Sequence, residues 1–173
     1  MATRRRRASG GRTAPWRQGG LFFARSVDRY PGDMTRPTTP EWDVVLERPR
    51  RPASEVRRAD IPDRPGVYAW FRDGDCVYLG KASDLRSRLS THLGTSLDLS
   101  RSTLRSWVAV RELDMTRERT RRRPTIMTSE QVAVVTSWIR GCDLAWVTAE
   151  SKEEAAALES KLLTAWRPPI NVA

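Results

Sequence analysis

The chain is poor in cysteine, lysine and histidine, with two, three and one respectively in 173 residues. Cys76 and Cys142 are too few and too far apart for a zinc cluster or a disulfide framework. Both lie in apolar segments, as buried free thiols of a reducing compartment do. No apolar run approaches the ~18 residues that suggest a membrane span, and the basic N-terminus lacks the apolar core of a secretory signal. A cytoplasmic location and no membrane partner are therefore expected. With lysine so scarce, the positive charge is almost all arginine, which suits bidentate phosphate contacts and follows equally from a GC-rich genome. The net charge of +10 and pI near 10.8 favour a polyanionic partner, nucleic acid being the commonest. The same charge also serves a solvated, soluble surface.

The length suits one domain plus tails, and no internal repeat is visible. Residues 1 to about 40 are rich in Arg, Gly, Pro, Ser and Thr and read as a disordered basic tail. Within it, Arg4 to Arg7 read as a solvated run, with a phosphate grip as the alternative, and Met34 offers a second start. Residues 41–46, EWDVVL, read as a short strand or packing arm, and a Pro- and Arg-rich connector runs on to residue 64. The folded unit is expected from 65 to 173. Its expected elements are strands over 66–71 and 75–80, a helix over 84–93, a helix near 101–112, a basic turn, a helix near 129–140, a strand over 143–148 and a helix over 152–166. Thr128 with Gln131, and Ser151 with Glu154, form capping boxes at the starts of the last two helices. Gly141 and Pro168-Pro169 mark their ends.

The stretch from 65 to 93 concentrates two of the chain's three tyrosines, one of its lysines and its only histidine. The turn decides where the tyrosines point. A two-residue Asp73-Gly74 loop would pair Tyr68 with Leu79 and turn it away from Tyr78. A three-residue loop, Arg72-Asp73-Gly74, pairs Tyr68 with Tyr78. It also gives one clean apolar face, Val67, Ala69, Phe71, Val77 and Leu79, with Tyr68, Trp70, Cys76 and Tyr78 on the other. The three-residue loop is the expectation. Taken alone, two facing tyrosines are an aromatic cross-strand pair that stabilises the hairpin.

The next helix adds to the pair. Ser83 is the expected N-cap, and Leu85, Leu89 and Leu93 form an apolar stripe. Arg88 and His92, four apart, share a face, and Lys81 leaves the second strand just before the helix. A guanidinium, an imidazole, an ammonium and two phenols converging at one junction suit a phosphodiester: Arg holds phosphoryl oxygens and phenol or imidazole handles protons. Arg86 on the same helix adds a nucleic-acid contact. In the last helix Glu159 falls among Ala155, Leu158, Leu162 and Leu163 and so at the buried face. A carboxylate there needs a counter-charge, either a basic side chain or a metal, Mg²⁺ being one that accepts few carboxylates plus phosphate oxygens.

Together these segments resemble the GIY-YIG nuclease superfamily, most closely its excision-repair type. Gly66-Val67-Tyr68 stands for the first motif and Tyr78-Leu79-Gly80 for the second, with Val and Leu replacing isoleucines. Lys81, Arg88 and His92 fall at the family's basic and helix positions, Glu159 at its metal-binding glutamate and Asn171 at its terminal asparagine. The resemblance covers about residues 65–93 and 143–171. It implies an α/β (α+β) fold with a central, mostly antiparallel three-stranded sheet flanked by helices, here with a helical insert (94–142) before the third strand. It implies a metal-dependent DNA endonuclease using Mg²⁺ or Mn²⁺ at Glu159. Tyr68 would be general base or position water, Tyr78 orient water or phosphate, Arg88 stabilise phosphoryl charge and Asn171 tie down the C-terminal segment. The insert carries Arg117, Arg119, Arg121, Arg122 and Arg123, which either add DNA contacts or form a solvated turn. A non-catalytic DNA-binding or adaptor protein and a nuclease acting on RNA are the alternatives.

Overall fold

The computed structural model describes residues 39–172. The basic tail, Arg4 to Arg7 and Met34 lie outside the described residues. The described elements run α1 (Pro40–Leu46), β1 (Arg51–Pro52), a 3-10 turn (Arg58–Asp60), β2 (Gly66–Arg72), β3 (Asp75–Ala82), α2 (Leu85–Leu93), α3 (Thr103–Leu113), α4 (Arg117–Arg121), α5 (Ser129–Arg140), β4 (Asp143–Thr148), α6 (Lys152–Ala165) and α7 (Pro169–Val172). The architecture is α+β, an antiparallel sheet flanked by helices, with α3, α4 and α5 between α2 and β4.

The sheet has four strands, not three, in the order β1-β4-β2-β3. The extra strand comes from the connector, where Arg51 and Pro52 pair with Leu144 and Asp143. Proline is tolerated there because β1 is an edge strand. The segment EWDVVL is a helix, not a strand, and it does pack on the core as an arm would. Two adjacent valines favour a strand, but Pro40 at the first turn, Glu41 and Asp43 beside it and the three-residue spacing of Trp42 and Val45 favour a helix. That spacing buries both side chains in the core with Val67, Phe71 and Leu162, and Trp42 Nε1 donates to the Leu162 carbonyl at 3.0 Å.

The hairpin turns through two residues, not three: Asp73 (φ 53°) and Gly74 (φ 93°) both lie at positive φ, as a type I′ turn requires. Arg72 pairs with Asp75 and Phe71 with Cys76, but Trp70 pairs with Tyr78 and Tyr68 with Gly80. The register shift between Trp70 and Phe71 leaves Val77 as the extra residue of a β-bulge. The bulge reverses the alternation once, so the two tyrosines share a face although they are not directly opposite. It also moves Cys76 off that face and into the core beside Phe71.

The helices follow the capping chemistry closely. Asp84, one residue beyond the expected Ser83, caps α2 by accepting from Ser87 N. Thr128 and Gln131 form the full capping box of α5. Ser151 caps α6, while Glu154 accepts from Glu150 N, one residue farther back than a capping box. Ala155 and Leu162 are buried, and Leu158, Leu163 and Trp166 pack partly buried on the core. Both cysteines are buried free thiols.

Candidate active site

The tyrosine face of the hairpin is closed by α2. Tyr68 lies across β3 because Gly80, its partner, has no side chain: a Cβ there would sit 2.6 Å from the Tyr68 hydroxyl. Tyr78 follows diagonally, its ring 6.3 Å from that of Tyr68. The stripe of Leu85 and Leu89 seats α2 on the sheet and carries His92 inward. Its ring lies 5.3 Å from Tyr68, 6.4 Å from Tyr78 and edge-on to Trp70 at 6.1 Å. His92 Nε2 and Tyr68 Oη are hydrogen-bonded at 2.8 Å. On its other side, Nδ1 meets Ser102 Oγ at 2.7 Å.

Burial sets the protonation of this cluster. His92 is 1 % exposed. Desolvation first, then the Arg88 and Arg105 guanidiniums, push its pKa down to about 3, so the imidazole is neutral near pH 7. Burial pushes the Tyr68 phenol well above its ordinary 10, and Tyr78 adds to the rise, while Arg88 pulls against it. Tyr78 is also raised, first by burial and then by Glu159. Both phenols are therefore protonated at neutral pH.

The charged residues ring this cluster. Lys81 Nζ, at the end of β3, bonds Glu159 Oε2 of α6 at 2.8 Å. Glu159 is thus paired with a lysine, its side chain 18 % exposed against 48 % for Lys81. The other Glu159 oxygen makes no hydrogen bond to a described residue. Among the described residues no three His, Cys, Asp or Glu side chains gather as a ready-made cation cage. One hard carboxylate with an open oxygen nevertheless fits Mg²⁺ or Mn²⁺, which keep several waters and take phosphate oxygens. Arg88 is exposed and donates to the Arg101 carbonyl at 3.3 Å. With Ser83, Ser87, Thr91 and Arg101 it lines a polar pocket of about 420 Å³ at the start of α2. Asn171 pairs its amide with both backbone groups of Leu79, next to Tyr78, at 2.8 and 2.9 Å.

The expected nucleic-acid contacts divide. Arg86 of α2 is committed to the segment before β2, bonding the Ile61 carbonyl at 2.7 Å and Asp63 at 3.1 Å. Arg123 reaches Ser100 at 2.7 Å and Asp98 at 3.7 Å. Arg117 stacks on Trp107, 4.5 Å from the ring centroid, and lies close enough to Tyr78 to lower its pKa slightly. Arg119, Arg121 and Arg122 are exposed and pair with no described carboxylate. The basic run is not a plain turn, since Arg117–Arg121 form α4, capped by Thr116.

A family profile described as the GIY-YIG catalytic domain matches residues 61–173. The chain belongs to this family. Among curated proteins, it is 32% identical over 130 residues to the UvrABC system protein C of Synechococcus sp. (strain CC9311), a match covering 74% of this chain and 15% of that protein. The corresponding protein of Synechococcus sp. (strain CC9902) matches at 31% over 130 residues, 74% of this chain and 14% of the relative. The chain thus spans about 15% of the length of the curated relatives it matches. Among solved structures it is similar to the GIY-YIG N-terminal endonuclease domain of UvrC from Thermotoga maritima, bound to its catalytic divalent cation magnesium. The match is 23% identical, covers 64% of this chain and 86% of that one, and has a TM-score of 0.38.

Within this GIY-YIG domain the structure adds residues that spacing does not reveal. Ser102, Arg105 and Trp70 all surround His92. Alternation along β2 puts Trp70 on the tyrosine face but gives it no role. Ser102 and Arg105 lie beyond the loop that follows α2, and the one signal pointing to Ser102 is its N-cap position before α3.

Proposed function

We propose that the chain is a metal-dependent endonuclease that hydrolyses phosphodiester bonds, with DNA as substrate. The observation that carries this reading is the packing of the Tyr68, Tyr78 and His92 rings into one cluster, with Tyr68 hydrogen-bonded to His92, beside Arg88 and the Lys81–Glu159 pair. A binding module has no need of two buried phenols packed on a neutral imidazole and one of them hydrogen-bonded to it, whereas proton handling at a phosphate does.

In this reading Tyr68 and Tyr78 orient the attacking water, and Tyr68 is the group that receives its proton. The raised phenol pKa works against that role, so positive charge must gather when substrate binds. Arg88 supplies part of it and also holds phosphoryl oxygens. Lys81, released from Glu159 as substrate enters, supplies more. Glu159 would hold Mg²⁺ or Mn²⁺, which when bound stabilises charge on the leaving oxygen. Neutral His92 fixes the Tyr68 hydroxyl in place. Asn171 holds the β3 edge, and with it Tyr78, in register. Arg119, Arg121 and Arg122 track the flanking backbone. With no membrane-length apolar helix among the described residues, a cytoplasmic protein working on intracellular nucleic acid is the fitting setting.

The test is a panel of supercoiled plasmid, branched DNA and matched RNA, each with Mg²⁺, Mn²⁺ or EDTA. Divalent-dependent cutting of DNA supports the proposal. Cutting of RNA alone moves the substrate to RNA, and binding without cutting of any member contradicts the enzyme.

A further inference from the structure

The hydrogen bonds around Ser102 determine more than its role as a helix cap. Ser102 is 1 % exposed and has two partners, the backbone N–H of Arg105 at 3.1 Å and His92 Nδ1 at 2.7 Å. A serine hydroxyl has one hydrogen to donate and lone pairs to accept with. Arg105 N–H can only donate, so it occupies a lone pair. The hydroxyl hydrogen, buried and in need of an acceptor, has one within reach: His92 Nδ1. An imidazole that accepts at Nδ1 and is neutral carries its hydrogen on Nε2. Nε2 faces Tyr68 Oη at 2.8 Å.

We infer that Ser102, supplied by the inserted helix α3, holds His92 as its Nε2–H tautomer, so that the imidazole donates to Tyr68 Oη and the phenol proton turns toward Tyr78. The chain of donors then runs in one direction: Arg105 N–H to Ser102, Ser102 to His92, and His92 to Tyr68, whose own hydrogen is left to turn toward Tyr78, the ring 6.3 Å away. Ser102 Oγ and both ring nitrogens of His92 are satisfied in this arrangement, as a buried polar network requires. The opposite tautomer would strand the Ser102 hydrogen and aim the Nε2 lone pair at the Tyr68 oxygen, repelling negative charge there. The Nε2–H form keeps a donor on that oxygen and makes loss of the phenol proton easier. The groups facing His92 are Tyr68 of β2, Tyr78 of β3, Arg88 of its own helix and Arg105 of α3. Neither guanidinium can accept a hydrogen bond, and neither phenol reaches Nδ1, so none competes with Ser102. Ser102 is thus a positioning residue, and the insert is a structural part of the site.

Because His92 is the chain's one histidine, ¹⁵N-histidine NMR of the full chain reads it without assignment. The expected spectrum at pH 7 shows a protonated Nε2 and an acceptor Nδ1. Ser102→Thr keeps the hydroxyl and the cap and should preserve that spectrum, whereas Ser102→Ala should mix the tautomers. A protonated Nδ1 in the wild type, or an unchanged Nε2–H spectrum in folded Ser102→Ala, overturns the inference. If Ser102→Ala fails to fold, the wild-type spectrum decides alone. The kinetic arm rests on the nuclease reading: Ser102→Ala should slow cleavage about tenfold, as loss of one hydrogen bond does. It should also move the alkaline limb of the pH–rate profile upward, and Ser102→Thr should restore both. A wild type that cuts nothing sinks the nuclease reading and leaves the tautomer to the spectrum.

Discussion

At the residue scale, burial decides what each titratable group can do. His92 is held neutral by desolvation, with a pKa near 3 in the folded chain against about 6.5 when unfolded. Its folded value is depressed, so stability is undiminished above about pH 6.5 and falls as pH drops from there toward 3. Below pH 6.5 the unfolded chain takes up a proton that the folded chain refuses, at up to about 1.4 kcal/mol per pH unit. Urea unfolding at pH 7, 5.5 and 4.5 should therefore show the wild type losing stability faster than His92→Gln, which has no such group. Parallel losses would contradict the burial. Sequence spacing puts Arg88 and His92 on one face of α2, and the structure agrees. Spacing does not show that the face tilts so that His92 is buried and Arg88 exposed, because a 3.6-residue period gives direction around a helix and not depth. Ser102 is hidden for a related reason: it meets His92 across a loop, where no period operates.

At the scale of elements, β3 is one of the two edge strands of the sheet, and an open edge invites fraying or foreign pairing. Asn171 of α7 closes it by accepting from Leu79 N and donating to Leu79 O, as a neighbouring strand would. Asn171→Ala should cost about 1–2 kcal/mol for these part-buried bonds and speed amide exchange at Leu79 while leaving β2–β4 amides protected. Unchanged exchange at Leu79 would show that α7 does not hold the edge. Most of the longer helices and strands are legible in the sequence, β4 and α5 to the residue, because capping residues and apolar period agree, whereas the short β1, α4 and α7 carry too few residues to show a period. Sequence and structure part where two signals conflict. Val44-Val45 suggests a strand where Pro40 and the Trp42/Val45 spacing demand a helix. The hairpin reads as a three-residue turn because a bulge, which leaves no mark in composition, mimics the same facing pattern.

At the scale of the whole molecule, a net charge of +10 needs somewhere to act. Much of the arginine is already committed to internal contacts, Arg86 to Asp63 and Arg123 to Asp98. Arg119, Arg121 and Arg122 remain exposed on α4 and its C-cap. Converting these three to serine should weaken DNA binding without sequence bias and flatten its salt dependence. The slope of log affinity on log salt should fall by about 0.9 for each phosphate that is no longer neutralised. An unchanged slope would make the run a solvated surface. The measurement that bears most directly on the account is cleavage of supercoiled plasmid by wild type and Glu159→Ala, at matched DNA binding and with saturating Mg²⁺ or Mn²⁺. The account predicts nicking by the wild type and a loss of at least about a hundredfold in the variant. Full cleavage by Glu159→Ala would mean that the Lys81–Glu159 pair is only a structural ion pair and that the site lies elsewhere.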